Sequence, residues 1–126
     1  MIETTQVVPA QLVIERLRVD RATAPDGDYR WRLVARNGRT LGQSSGTFTG
    51  TARASDAFWT IVGQASSLTA LVQHASTHRG SGGWTWSVKS PQGERVARPG
   101  RNYDRYDSCQ RACNLIVATL SMLERL

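Results

Sequence analysis

Lysine is almost missing from this chain of 126 residues: of its 16 basic residues only Lys89 is a lysine, and the rest are arginine. Cysteine is scarce too, and two residues, Cys109 and Cys113, cannot supply a disulfide framework. No apolar run approaches the ~20 residues of a membrane-spanning helix, so no membrane partner is expected. The opening residues, MIETTQVVPAQ, contain neither a basic stretch nor an apolar one. A secretory signal is therefore not expected, and the cytoplasm is the expected compartment.

Motifs for chemistry are missing as well. Gly80-Ser81-Gly82-Gly83 lacks the lysine of a phosphate-binding loop, and Ser44-Ser45 lacks the setting of a nucleophile elbow. Asp26 and Asp28 flank Gly27 without completing a calcium loop. His74 and His78 share one short region, with no carboxylate placed beside them by spacing. The expectation is a protein that is not an enzyme and carries no cofactor.

What is present suits one packed domain. The length can bury a real core, and 40% hydrophobic with 21% charged residues is ordinary for a globular chain. The net charge of +6 has two readings. It marks an anionic partner, or it reflects GC-rich coding, which favours arginine over lysine. The charge is spread along the chain, which weakens the first reading.

Displaced by 55 positions, the sequence matches itself. Tyr29-Arg30-Trp31-Arg32-Leu33 falls on Trp84-Thr85-Trp86-Ser87-Val88, Asn37-Gly38 on Gln92-Gly93, Leu41 on Val96 and Phe48 on Tyr103. Ala57, Ile61 and Val62 meet Ala112, Ile116 and Val117, and upstream Leu17 meets Val72. Within each copy, Trp31, Leu33 and Ala35 alternate with Arg30, Arg32 and Arg36, the period-two pattern of a strand with one buried face. Trp84, Trp86 and Val88 alternate likewise with Thr85, Ser87 and Lys89. Asn37-Gly38 predicts a type I′ hairpin turn, and returning strands follow near 40–45 and 94–98. A further strand precedes each Trp strand, near 12–19 and 69–75, although a helix is an alternative reading of both. Apolar residues then recur at three and four positions from Ala54 to Ala65 and from Cys109 to Leu120, predicting helices with Thr49 and Asp104 as N-caps.

The run Tyr29-Arg30-Trp31-Arg32-Leu33-Val34-Ala35-Arg36-Asn37-Gly38, followed by Leu41, Ser44, Ser45, Phe48 and the Ala52, Ala54, Phe58, Ile61 pattern, resembles the YegP-like family. The resemblance implies small bacterial and archaeal proteins built of tandem copies of a domain of unknown function. It brings no established activity. Thr49-Gly50-Thr51-Ala52 and Asp104-Arg105-Tyr106-Asp107 depart from the Ser-Ser-Lys-Ala-like helix start that the family usually has.

Together these readings predict an α+β fold. Two tandem β-β-β-α repeats, about 12–66 and 67–126, form antiparallel meander sheets, each covered on one face by a helix, within one domain. Arg30, Arg32, Arg36 and Arg39 are candidate binding residues, since arginines on one sheet face can hold a phosphate backbone. A solvated face is the plainer reading. Trp59 lies off its helix's apolar stripe and is a candidate interface anchor. Cys109, Cys113, His74 and His78 could supply zinc ligands, but the cysteines fall on a core stripe, so no metal is expected. The leading expectation is an interaction module that forms a homo-oligomer, with nucleic acid as the alternative partner.

Overall fold

Strand β2 shows why the chain folds as it does. Trp31 and Leu33 are buried on one face, while Arg30, Arg32 and Val34 alternate onto the other. The computed structural model describes residues 10–17, 28–75 and 82–125. Its elements run β1 (Ala10–Leu17), β2 (Asp28–Ala35), β3 (Thr40–Ser44), α1 (Thr51–Gly63), β4 (Thr69–His74), β5 (Trp84–Lys89), β6 (Arg95–Arg98) and α2 (Tyr106–Glu124). A single 3-10 turn, Ala65–Ser67, leads from α1 into β4.

The strands do not form two separate sheets. They make one six-stranded antiparallel sheet in the order β1-β2-β3-β6-β5-β4, joined at its centre by the pairs Gln43↔Arg98 and Ser44↔Ala97. Each third strand would otherwise leave a bare edge of unpaired backbone groups. Pairing β3 with β6 satisfies both edges at once.

Both helices cover the same face. Phe58 of α1 meets Trp31 edge-on with ring centroids 5.1 Å apart, and Ile116 of α2 reaches over β3. Trp31, Leu33, Phe58, Trp86, Val88, Cys113 and Ile116 belong to one buried cluster drawn from both halves of the chain. Each fully buried indole removes roughly 200 Å² from water, an upper figure of about 5 kcal/mol. Neither Trp31 Nε1 nor Trp86 Nε1 has an acceptor among the described residues.

Local geometry repeats at the 55-residue spacing. Strand irregularities fall between Leu33 and Val34 and between Val88 and Lys89. Isolated bridges join Tyr29 to Phe48 and Trp84 to Tyr103. The hairpin turns also match, but they are not type I′. Gly38 N–H donates to Ala35 O and Gly93 N–H to Ser90 O, with positive φ at Gly38 and Gly93 and at no non-glycine described residue. This is a type I turn closed by a left-handed glycine, and Pro91 sits where such a turn favours proline.

Two further expectations shift. The segment before β2 is a strand, in which Ile14 pairs with Trp31, whereas Val72 pairs with Trp86. Ile14, not Leu17, is thus the counterpart of Val72, because the second connection is shorter. The helix N-caps are Gly50 and Arg105, one residue later than Thr49 and Asp104, and neither makes a side-chain cap bond.

Gly42 faces the helix layer opposite Leu33, and a Cβ there would lie 2.9 Å from Trp86 Cη2 and 3.2 Å from Ile116 Cδ1. Both neighbours are buried side chains with little room to retreat. Gly42→Ala is expected to destabilise the fold by about 1–3 kcal/mol in urea unfolding. A change within about 0.5 kcal/mol would show that the Trp86–Gly42 contact is loose.

Candidate interaction surface

The sheet face away from the helices begins at β1 and β2, where Val13 pairs with Arg32 and Glu15 with Arg30. Arg30 Nε donates to Glu15 Oε1, and Arg32 Nε lies 3.4 Å from the same oxygen. Arg32 Nη1 also donates to Thr40 Oγ1 at 3.0 Å. Two arginines therefore share one carboxylate, leaving a single excess positive charge there. With side chains 27–28% exposed, such pairs contribute about 0–1 kcal/mol each.

Arg36 and Arg39 do not lie beside them. The strand ends at Ala35, and the four residues before β3 carry both arginines into an exposed turn. Asn37 Oδ1 accepts from Arg39 N–H at 3.0 Å, which fixes the turn. The outer face instead continues through β6 and β5, where Arg98 pairs with Gln43 and Arg95 with Lys89. The second half thus contributes Lys89 from β5 and Arg95 and Arg98 from β6.

Arg39 lines an open groove of about 680 Å³ at the start of β3, facing Arg101, Tyr103 and the α2 residues Arg111 and Leu115. Sequence reasoning passed over Arg101 and Arg111, which stand far from Arg39 along the chain. Trp59, 50% exposed, meets the Phe58 ring edge-on at 5.1 Å. Phe58 packs on the helix-covered face, so the sheet separates Trp59 from Arg30 and Arg32. The five candidate residues fall in three separate places.

Strand β4 is a sheet edge, and Thr69, Ala70 and Leu71 on it are exposed, Leu71 at 50%. Its sequence, TALVQH, carries no lysine, arginine, aspartate or glutamate. The opposite edge, β1, has Glu15 tied to Arg30. Leu71 was not recognised from the sequence, because edge position depends on strand order.

Cys109 and Cys113 are free and buried in α2, at the positions that Ala54 and Phe58 hold in α1. Burial, reinforced by Cys113, pushes the Cys109 thiol up to about 11, and burial raises Cys113 as well. His74 stacks on Trp84 with centroids 3.9 Å apart, and His78 lies outside the described residues. Among the described residues, no three His, Cys, Asp or Glu side chains are grouped to hold a metal ion. No described helix is long and apolar enough to cross a membrane.

These features define an α+β protein with two helices on one face of a six-stranded antiparallel sheet; among the described residues, no helix lies on the opposite face. Residues 24–67 match the family model of a domain of unknown function, DUF1508. The solution structure of YegP, a protein of unknown function from E. coli, has the same fold with a TM-score of 0.53 and 16% identity, covering 76% of this chain and 78% of that one. UPF0339 protein SO3888 from Shewanella oneidensis matches with a TM-score of 0.58 and 11% identity, over 85% of this chain and 82% of that one. No curated protein sequence matches the chain. Residues 24–67 thus match the family's sequence model, and the sheet with its two helices shares the fold of these two proteins.

The fold favours the neutral thiols, so their contribution to stability is complete below the ordinary value of 9.0 and is lost as pH rises through about 11. At pH 8 the folded protein should resist thiol reagents, and both cysteines should react together once urea unfolds it. Rapid labelling of either in the native state would contradict their placement in the core.

Proposed function

We propose that this protein is a non-catalytic interaction module, built of two tandem copies of one β-β-β-α unit, that self-associates through the β4 edge. The tandem reading is supported by strand irregularities, bridges and glycine turns that recur at one spacing along the chain. The free, buried thiols suit a reducing compartment such as the cytoplasm.

The observation that carries self-association is the chemistry of β4. An edge strand offers a row of unpaired N–H and C=O groups, and proteins blunt such edges with charge, proline or a cover. Strand β4 has neither charge nor proline, and it places a half-exposed leucine at its middle. Antiparallel pairing of β4 with its copy across a two-fold would continue the sheet through two molecules and bring the Leu71 side chains together. Such pairing is self-complementary and closes, so it ends at a dimer.

The test is oligomeric state by light scattering and sedimentation across a concentration series. The wild type is expected to dimerise and Leu71→Lys to remain monomeric, since two ammonium groups would then meet at the centre of the pairing. Native circular dichroism of the variant would show that the fold itself survives. A wild type that stays monomeric at the highest concentrations would sink the proposal.

A further inference from the structure

The groove at the start of β3 is built from both halves of the chain. Arg39 comes from the β2–β3 turn, Arg101 and Tyr103 from the segment after β6, and Arg111 and Leu115 from α2, with Leu41 beside them. All three arginines are exposed, while Tyr103 is partly buried. Arg101 stands over the Tyr103 ring at 5.8 Å, so a guanidinium and an aromatic surface are already side by side. One carboxylate approaches from the rim: Asp107 Oδ2 lies 3.9 Å from Arg111 Nη2, and Asp107 Oδ1 lies 3.3 Å from Arg105 Nε. The contact with Arg111 is long and solvent-exposed, and it leaves that guanidinium's charge available.

The charge here is not a general property of the fold. At the corresponding positions, 55 residues away, Arg39 is replaced by Glu94, Arg101 by Gly46 and Arg111 by Asp56. Tyr103 corresponds to Phe48 and Leu115 to Thr60. Two halves that agree in turns, bridges and buried positions therefore disagree in charge where this groove lies. A coding bias toward arginine would raise the charge of both halves alike and gives no reason for this difference.

We infer that this groove binds a phosphate-bearing ligand with a planar body, of the chemistry of a nucleoside phosphate. Guanidinium groups pair with phosphate oxygens through two parallel N–H donors, and three of them suit more than one phosphate oxygen pair. Tyr103, Leu41 and Leu115 supply the apolar and aromatic wall on which a base can lie. The volume falls within the range of small-ligand sites, and the groove's openness also admits a nucleotide within a single strand. This ligand is bound by a surface separate from the β4 edge, so its fate is independent of self-association.

Titration at low salt tests this with three probes: ATP, a short 5′-phosphorylated single-stranded oligonucleotide and inorganic pyrophosphate. Binding of ATP supports a free nucleotide as the source, and binding of the oligonucleotide alone supports a nucleotide within a chain. In either case affinity should fall as salt rises. Arg39→Glu, Arg101→Glu and Arg111→Glu should each lower affinity by about tenfold or more. Arg53→Glu, on exposed α1 outside the groove, should leave it within about twofold. Circular dichroism of each variant checks that the fold is retained. Pyrophosphate binding as tightly as ATP would overturn the planar-body assignment. Failure of all three probes, or binding that survives the three reversals combined, would overturn the site.

Discussion

Trp86 rests against the bare backbone of Gly42, and through that contact the second half of the chain fills space above the first. Gly42 belongs to β3, while Trp86 belongs to β5 and Ile116, which also approaches Gly42, to α2. The two central strands share only the pairs Gln43↔Arg98 and Ser44↔Ala97, so backbone bonding alone is a narrow seam. Apolar packing across that seam makes it part of one core. A methyl group in place of the Gly42 hydrogen would push the halves apart, whereas Ala97, at the matching position, is accommodated with its side chain fully buried.

That seam arranges the rest of the surface. It turns both helices to one side and, among the described residues, leaves the other sheet face without a helix, with Arg30 and Arg32 gathered around Glu15 at one end. It places β1 and β4 at the two edges, one carrying a committed carboxylate and the other no charge. It also brings the β2–β3 turn beside α2, so that arginines distant in sequence share a groove. Matching backbones therefore carry different surfaces, and the proposed association and ligand binding both draw on those differences.

Much of the fold was legible because it rests on local periodicity. Alternation around Trp31 and Trp86 gave the strands and their buried faces, and the three-and-four spacing from Ala54 and Cys109 gave the helices. Trp59 lies off that spacing and is half exposed. Long-range consequences were less visible. Periodicity within a strand does not state which strand lies beside it, so neither the single sheet nor the exposure of Leu71 could be read directly. Arg39 was grouped with Arg30 and Arg32 because they are close in sequence, but a left-handed Gly38 redirects the chain. The groove left one readable trace: the charge of Arg39 and Arg111 is inverted at Glu94 and Asp56, and that of Arg101 is absent at Gly46.

The central claim is that both halves form one cooperative core, and native-state hydrogen exchange tests it at the strand amides of β2 and β5. If Trp86 on Gly42 truly unites them, the slowest amides around Leu33 and Val88 should exchange only by global unfolding, with the same opening free energy and the same dependence on urea. Opening of one half at a free energy several kcal/mol below the other would contradict the account, because it would show two cores that merely touch.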